Sequence, residues 1–137
     1  MFLLDTNVLS DSMKQKPNAG VGIWMQAHET ESYICVVNIE ELRVGQFMLP
    51  NGKRRDSLAQ LISEVINHYS EMLLTYGKLE AERCADFHAL AIREGKTPAL
   101  GDLMIAAIAT THNLTVATRN VKDFSYLPVK IVNPFKD

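Results

Sequence analysis

The sequence predicts an α/β fold: a mainly parallel sheet with helices on both faces. Three observations point to it. Short apolar runs alternate with helical periods along the whole chain, which is the pattern of strand–helix–strand units. The 137 residues, 47% hydrophobic and 22% charged, suit one domain built on one core, spanning residues 1–137. No repeat, low-complexity segment or linker divides them. Finally, the first apolar run, Phe2-Leu3-Leu4, stops abruptly at Asp5-Thr6-Asn7, residue types that end strands and cap helices. Asp5 is therefore expected at the carboxyl end of the first strand, the edge where open α/β sheets bind ligands.

The remaining elements follow in order. Asn7 to Met13 predicts a short helix, and Lys14-Gln15-Lys16-Pro17-Asn18 breaks it. Val21, Ile23, Trp24 and Ala27 mark an amphipathic helix. Ser32 to Val37, rich in β-branched and aromatic residues, predicts the second strand. Asn38 is the expected N-cap of a helix running to Phe47, ended by Pro50-Asn51-Gly52. Asp56 is the expected cap of the next helix, whose Leu58, Leu61, Ile62, Val65, Ile66 and Tyr69 recur at helical spacing. Met72 to Tyr76 is a third strand candidate. Lys78 to Arg93 is a long helix ended by Gly95, and Asp102 opens a helix closed by His112-Asn113. Leu114 to Thr118 is a fourth strand, Arg119 to Leu127 a loop with room for a turn of helix, and Val129 to Val132 the last strand.

Bulk properties narrow the function classes. A formal net charge of −2 gives no broad positive field for nucleic acid; any such contact must be local, and Lys53-Arg54-Arg55 is the strongest basic cluster. Cys35 and Cys84 show no metal spacing and fit buried thiols in a reducing cytoplasm. No basic-plus-apolar leader and no run of about 20 apolar residues is present, so neither secretion nor membrane insertion is expected. His28, His68, His88 and His112 are scattered without ligand spacing.

The acids form a sharper pattern. Asp5 ends strand one, Glu41 lies early in the helix after strand two, Asp102 lies at the start of the helix before strand four, and Asn120 and Asp123 follow strand four. In a parallel sheet these positions share one edge, provided the Asp102 helix starts on that side. Each has an ordinary explanation alone: Asp5 as a strand-end cap, Glu41 as the far end of a capping box with Asn38, Asp102 as a helix-dipole partner, Asp123 as a solvated loop acid. Together they would repel, by about 1 kcal/mol per pair at about 4 Å in water and several-fold more in a drier site. A divalent cation removes that repulsion. Mg²⁺ and Mn²⁺ suit carboxylate and water oxygens, and such an ion supports phosphodiester hydrolysis. Glu40 competes with Glu41, but neighbours on a helix point about 100° apart, so one of them faces the cleft. Arg119 is the nearer candidate for a substrate phosphate and Arg43 the more distant one. A receiver-like signalling domain shares the ground plan but needs an acid after strand three, where this chain has Thr75-Tyr76-Gly77.

Four stretches match a family. Leu3-Leu4-Asp5-Thr6-Asn7-Val8-Leu9-Ser10, Glu41-Leu42-Arg43-Val44-Gly45, Gly101-Asp102-Leu103-Met104-Ile105-Ala106-Ala107 and Ala117-Thr118-Arg119-Asn120-Val121-Lys122-Asp123-Phe124 resemble, in order and spacing, the motifs of PIN-domain proteins. Val132-Asn133-Pro134-Phe135 is similar to tails in the subgroup containing the VapC and FitB toxins. The resemblance implies a PIN-like three-layer α/β/α fold with a five-stranded sheet in order 3-2-1-4-5. It implies a Mg²⁺- or Mn²⁺-dependent endoribonuclease that is the toxin of a type II toxin–antitoxin pair, dimerises, and meets an antitoxin whose own domain binds operator DNA. It makes Asp5 and Asp102 direct metal ligands, Glu41 a helper that holds metal or orients water, and Asn7 and Thr118 hydrogen-bonding supports. Many members carry Asp where this chain has Asn120. Either Asp123 completes the site or three acids and an amide do, and the loss of one charge puts a two-metal mechanism in doubt. A degenerate, non-catalytic PIN-like binding domain is the alternative that Asn120 favours.

Overall fold

In a computed structural model the structure describes residues 1–135; Lys136 and Asp137, within the expected domain, lie outside the described residues. Strands β1 (Phe2–Leu4), β2 (Ser32–Cys35), β3 (Leu73–Leu74), β4 (Thr115–Ala117) and β5 (Ile131–Val132) form one sheet in order β3-β2-β1-β4-β5. Every pairing is parallel. Six α-helices are present among the described residues: α1 (Thr6–Ser12), α2 (Ala19–Ala27), α3 (Val36–Phe47), α4 (Lys53–His68), α5 (Lys78–Arg93) and α6 (Leu100–Thr111).

Strand pleating divides the core. Neighbouring residues on a strand face opposite sides. Leu3, Cys35 and Val116 accordingly join one cluster with Cys84, Phe87, Leu103 and Ile108 of α5 and α6. Leu4, Ile34 and Ala117 join the other, with Val8, Leu9, Val21 and Ile62 of α1, α2 and α4. The result is a three-layer sandwich with β1 at its centre. Leu3, Leu4, Val8, Leu9, Ile34 and Ile62 are wholly buried, each contributing about 1.5–3 kcal/mol of burial. Asp11, buried at the end of α1, accepts from the Asn18 backbone N–H at 2.9 Å and so ties the α1–α2 connection.

The strand order removes the receiver-like alternative. Receiver sheets run 2-1-3-4-5, with strand three beside strand one; here β3 lies at the edge, outside β2.

Several element ends differ from expectation. The second strand stops at Cys35, and Val36 and Val37 already belong to α3. Asn38 is not the N-cap. It is the third residue of α3, and its Oδ1 reaches back to accept the Cys35 backbone N–H at 2.7 Å. Glu41 therefore sits in the second turn, and Asn38 rather than Glu41 is the residue that reaches back over the helix start. Likewise α4 starts before Asp56. Gly52, at φ 154°, turns the chain into the helix, and Asp56 lies in its first turn. Ala99 is the N-cap of α6 and Asp102 its third residue. The third and fifth strands are shorter than the apolar runs that encode them, Met72–Tyr76 and Val129–Val132. Gly95, at φ 69°, ends α5.

Candidate active site

Parallel pairing puts the carboxyl ends of all strands at one edge. Asp5 follows β1 there, held in the ladder by its backbone N–H to the Ala117 carbonyl at 2.9 Å. Thr118 follows β4. The helix α6 turns back into β4 at His112–Leu114, where Asn113 adopts φ 54°; its amino end with Asp102 consequently returns to the same edge. Asp123 closes a single 3-10 turn (Val121–Asp123) after β4.

Asp5 is 4% exposed and well supplied with donors. Its Oδ1 accepts the Thr6 backbone N–H at 2.8 Å and thereby caps α1. Its Oδ2 accepts the Thr118 hydroxyl at 2.7 Å and Asn7 Nδ2 at 3.2 Å. Thr118 Oγ1 in turn accepts from Asn7 Nδ2 at 3.3 Å and from the Asn120 backbone N–H at 3.0 Å. With both accepting positions filled, the hydroxyl proton points at Asp5. Asn7 Oδ1 accepts the Arg119 backbone N–H at 3.3 Å. Burial raises the Asp5 pKa, these donors hold it back, and the charge of Asp123 adds to the rise.

Glu41 approaches from α3. Its Oε1 accepts the Thr6 hydroxyl at 2.6 Å. Burial raises its pKa, the Thr6 hydrogen bond opposes, and the charges of Asp5 and Glu40 add. Glu40 itself is exposed. The carboxylate lies against α6: a Cβ built on Gly101 would meet Glu41 Oε2 at 2.6 Å. Only a residue without a side chain lets Glu41 rest there undisturbed.

Asp102 lacks the support that Asp5 has. No hydrogen bond reaches its carboxylate among the described residues. Burial, followed by the charges of Asp5, Asp123 and Glu41, lifts its pKa from an ordinary 3.8 to about 7. Tyr126 also faces this side. Its pKa is raised by burial and then by the charges of Asp102 and Asp123, and its hydroxyl is a buried donor without a partner among the described residues.

The charges of Asp5, Asp123 and Glu41 thus all reach Asp102, and that of Asp123 also reaches Asp5. Among the described residues no three His, Cys, Asp or Glu side chains are drawn together tightly enough to form a ready cation cage. The donor set still fits a hard divalent ion. It offers only carboxylate oxygens, mutual repulsion for the ion to relieve, and an unpaired phenol where a metal-borne water would find a partner. Mg²⁺ commonly keeps several waters and takes one or two carboxylates.

The substrate-binding candidates separate. Arg119 lies next to the Asp5 support, and its guanidinium stacks on the Phe135 ring at 5.0 Å. Arg43 is turned away. Two positions past Glu41 it points about 200° around the helix, and its head binds Gln46 Oε1 at 2.8 Å, the Ala59 carbonyl at 3.3 Å and Ser63 Oγ at 3.1 Å. It ties α3 to α4 and is not brought to the acids. In the basic cluster, Arg55 lies over the Phe47 ring at 5.5 Å and binds Asn51 Oδ1. Asn120 contributes its backbone N–H rather than its side chain. Sequence reasoning missed the parts played by Asn38 and Gly101. The spacing Asn38-x-x-Glu41 was the available signal for the first, and the Gly beside Asp102 for the second.

A parallel sheet in order 3-2-1-4-5 with acids converging on its carboxyl edge defines the class: a three-layer α/β protein of the nuclease-like PIN type. Residues 2–129 match the PIN domain, and the chain belongs to that family. It is 34% identical over 139 residues to Toxin FitB of Neisseria gonorrhoeae, covering 100% of both chains. It is 34% identical over 138 residues to VapC ribonuclease Y4jK of Sinorhizobium fredii, covering 99% of both. Its fold superposes on the structure of FitAB bound to an IR36 DNA fragment with a TM-score of 0.90 and 31% identity, over 100% of this chain and 97% of that one.

Proposed function

We propose that this chain is a Mg²⁺- or Mn²⁺-dependent endoribonuclease, the toxin of a type II toxin–antitoxin module, folded as a single PIN-like domain over residues 1–137. One observation carries the reading: the parallel sheet brings Asp5 after β1, Asp123 after β4 and the amino end of α6 with Asp102 to one carboxyl edge, where burial and then the charges of Asp5, Asp123 and Glu41 raise the Asp102 pKa. Acids from four elements lie toward that edge, and a divalent cation would relieve their repulsion. Asp5 and Asp102 are the residues that would hold it, with Asp123 as the fourth acid.

When bound, the ion would supply Lewis-acid stabilisation of charge on a phosphodiester and lower the pKa of a water. The chain's own residues do the rest. The donors of Thr6, Asn7 and Thr118 oppose the rise that burial imposes on the Asp5 pKa and aim its carboxylate. Glu41 keeps Oε2 free of hydrogen bonds among the described residues, available to orient a water or a metal-borne water. Arg119, at the rim, is the candidate for a substrate phosphate, because a guanidinium matches phosphate geometry. Relatives named as a VapC ribonuclease and a FitAB–DNA complex support both the activity and the partner. The partner proposed for this chain is a cognate antitoxin that binds operator DNA, and the toxin itself is proposed to be a homodimer. No helix among the described residues is long and apolar enough to cross a membrane, and a cytoplasmic location is part of the proposal.

The test is cleavage of single-stranded RNA by the purified chain. Cleavage should require Mg²⁺ or Mn²⁺ and vanish in Asp5→Asn and Asp102→Asn with the circular dichroism spectrum unchanged. Retained cleavage in either variant would sink the metal-ligand assignment. Induction of the chain alone should arrest growth, and Asp5→Asn should relieve the arrest.

A further inference from the structure

Asn38 is wholly buried in the first turn of α3, where it is the third residue and its side chain reaches back to the helix start. A buried polar side chain needs partners, and those of Asn38 have only one consistent assignment. The Cys35 backbone N–H can only donate, so the amide atom facing it at 2.7 Å must be Oδ1. That fixes Nδ2 on the other side, 3.0 Å from Thr6 Oγ1. An amide nitrogen only donates, so Thr6 Oγ1 accepts there. Its single proton is then left for Glu41 Oε1, 2.6 Å away, and a carboxylate only accepts.

We propose that Asn38 is a positioning residue for Glu41. The order runs one way: from the Cys35 N–H to Asn38, from Asn38 to Thr6, and from the Thr6 hydroxyl to Glu41 Oε1. The anchor is a backbone N–H at the end of β2. The chain of bonds stops the Thr6 hydroxyl from rotating and commits Oε1 as an acceptor. Oε2 is then left free of hydrogen bonds among the described residues and lies over Gly101. Glu41 is thus held on one oxygen and presented on the other. The same logic recurs at Asp5, where Thr118 has two donors directed at its oxygen and one proton to give. This role for Asn38 rests on the proposed metal-dependent site, but its test need not.

Two variants separate the relay from helix capping. Asn38→Asp keeps an acceptor for the Cys35 N–H and replaces the Nδ2 donor with an oxygen that competes for the Thr6 proton. Thr6→Val leaves Asn38 and its cap intact and removes the hydroxyl. Each should weaken Mn²⁺ binding, measured without RNA, by about tenfold or more. The double variant should be no worse than either single one, and Thr6→Ser should restore what Thr6→Val removes. The side-chain amide resonance of Asn38 should be protected from exchange in the wild type and in Thr6→Ser, and lose that protection in Thr6→Val. If Asn38→Asp does not fold, Thr6→Val with the amide signal decides. Wild-type Mn²⁺ affinity in Thr6→Val, additive losses in the double variant, or an unprotected Asn38 amide in the wild type would each overturn the relay. A wild type that binds Mn²⁺ with this pattern but cuts no RNA would leave the relay standing and overturn the nuclease.

Discussion

The two halves of the acidic site are built on different principles. Asp5 is almost fully buried, yet three donors reach its oxygens, and Glu41 is held by the Thr6 hydroxyl. Asp102 keeps more solvent, has no donor among the described residues, and faces three like charges. It is Asp102 whose pKa climbs to about 7. Depth of burial alone would rank them the other way. Donors set the difference: a carboxylate that accepts N–H and O–H bonds can stay charged in a dry place, and one without them cannot unless a cation comes. One half of the site is finished by the fold, and the other half is the one that the proposed ion would finish.

Removing the charge from either half should have the largest effect. Asp5→Asn and Asp102→Asn should each lower RNA cleavage by about a hundredfold or more, because each would strip an anionic ligand from the proposed ion. Their effects on stability should part. Asp5→Asn disturbs a network of donors and should lower the melting temperature of the metal-free chain, whereas Asp102→Asn removes a strained charge and should raise it above neutral pH. Equal shifts in melting temperature would erase the contrast between the halves.

Next comes the pH dependence. A carboxyl whose pKa is raised by folding favours the native state when protonated. The contribution of Asp102 is therefore fully present below 3.8 and lost as pH rises to about 7 and beyond. The melting temperature of the metal-free chain should gain from Mg²⁺ most at pH 8 and least at pH 5. Asp102→Asn should flatten that gain. A Mg²⁺ effect that is the same at both pH values would contradict the account.

A smaller effect is expected where the halves meet. Gly101→Ala puts a Cβ 2.6 Å from Glu41 Oε2. Alanine suits a helix better than glycine by about 1 kcal/mol, so stability should hold or rise while cleavage falls about tenfold as Glu41 is pushed off Thr6. A variant that loses stability and activity together would argue for a packing role. The smallest difference separates the two candidates for the fourth acid. Asp123→Ala should lower the Asp102 pKa, read by carboxyl carbon NMR, and reduce cleavage several-fold. Asn120→Ala should do neither, because only its backbone N–H reaches the Asp5 support.

Much of this was legible in the residues. The abrupt end of Phe2-Leu3-Leu4 at Asp5 located the strand edge, because a run of apolar side chains buried on both faces cannot continue through Asp-Thr-Asn. The alternation of apolar runs and helical periods foretold a parallel sheet with two covered faces, and the resemblance supplied its order. What escaped was set by contacts between distant segments. Cys35 is a poor capping residue by type, so nothing local moved the helix start from Asn38 back to Val36; the side chain of Asn38 did so by reaching back across three residues. The grip of Arg43 on Ala59 and Ser63 depends on how α4 folds over α3. The fit of Glu41 over Gly101 joins residues 60 positions apart. A linear reading sees the types of these residues and not their distances.

The central claim is that Asp102 lies in a half-finished site that a divalent ion completes. Its most direct test is the pKa of Asp102, followed by carboxyl carbon NMR in metal-free and Mg²⁺-saturated protein. The account predicts titration near 7 without metal and a fall to or below the ordinary carboxylate range of about 4 with it. A value that is ordinary without metal, or unmoved by saturating Mg²⁺, would contradict it.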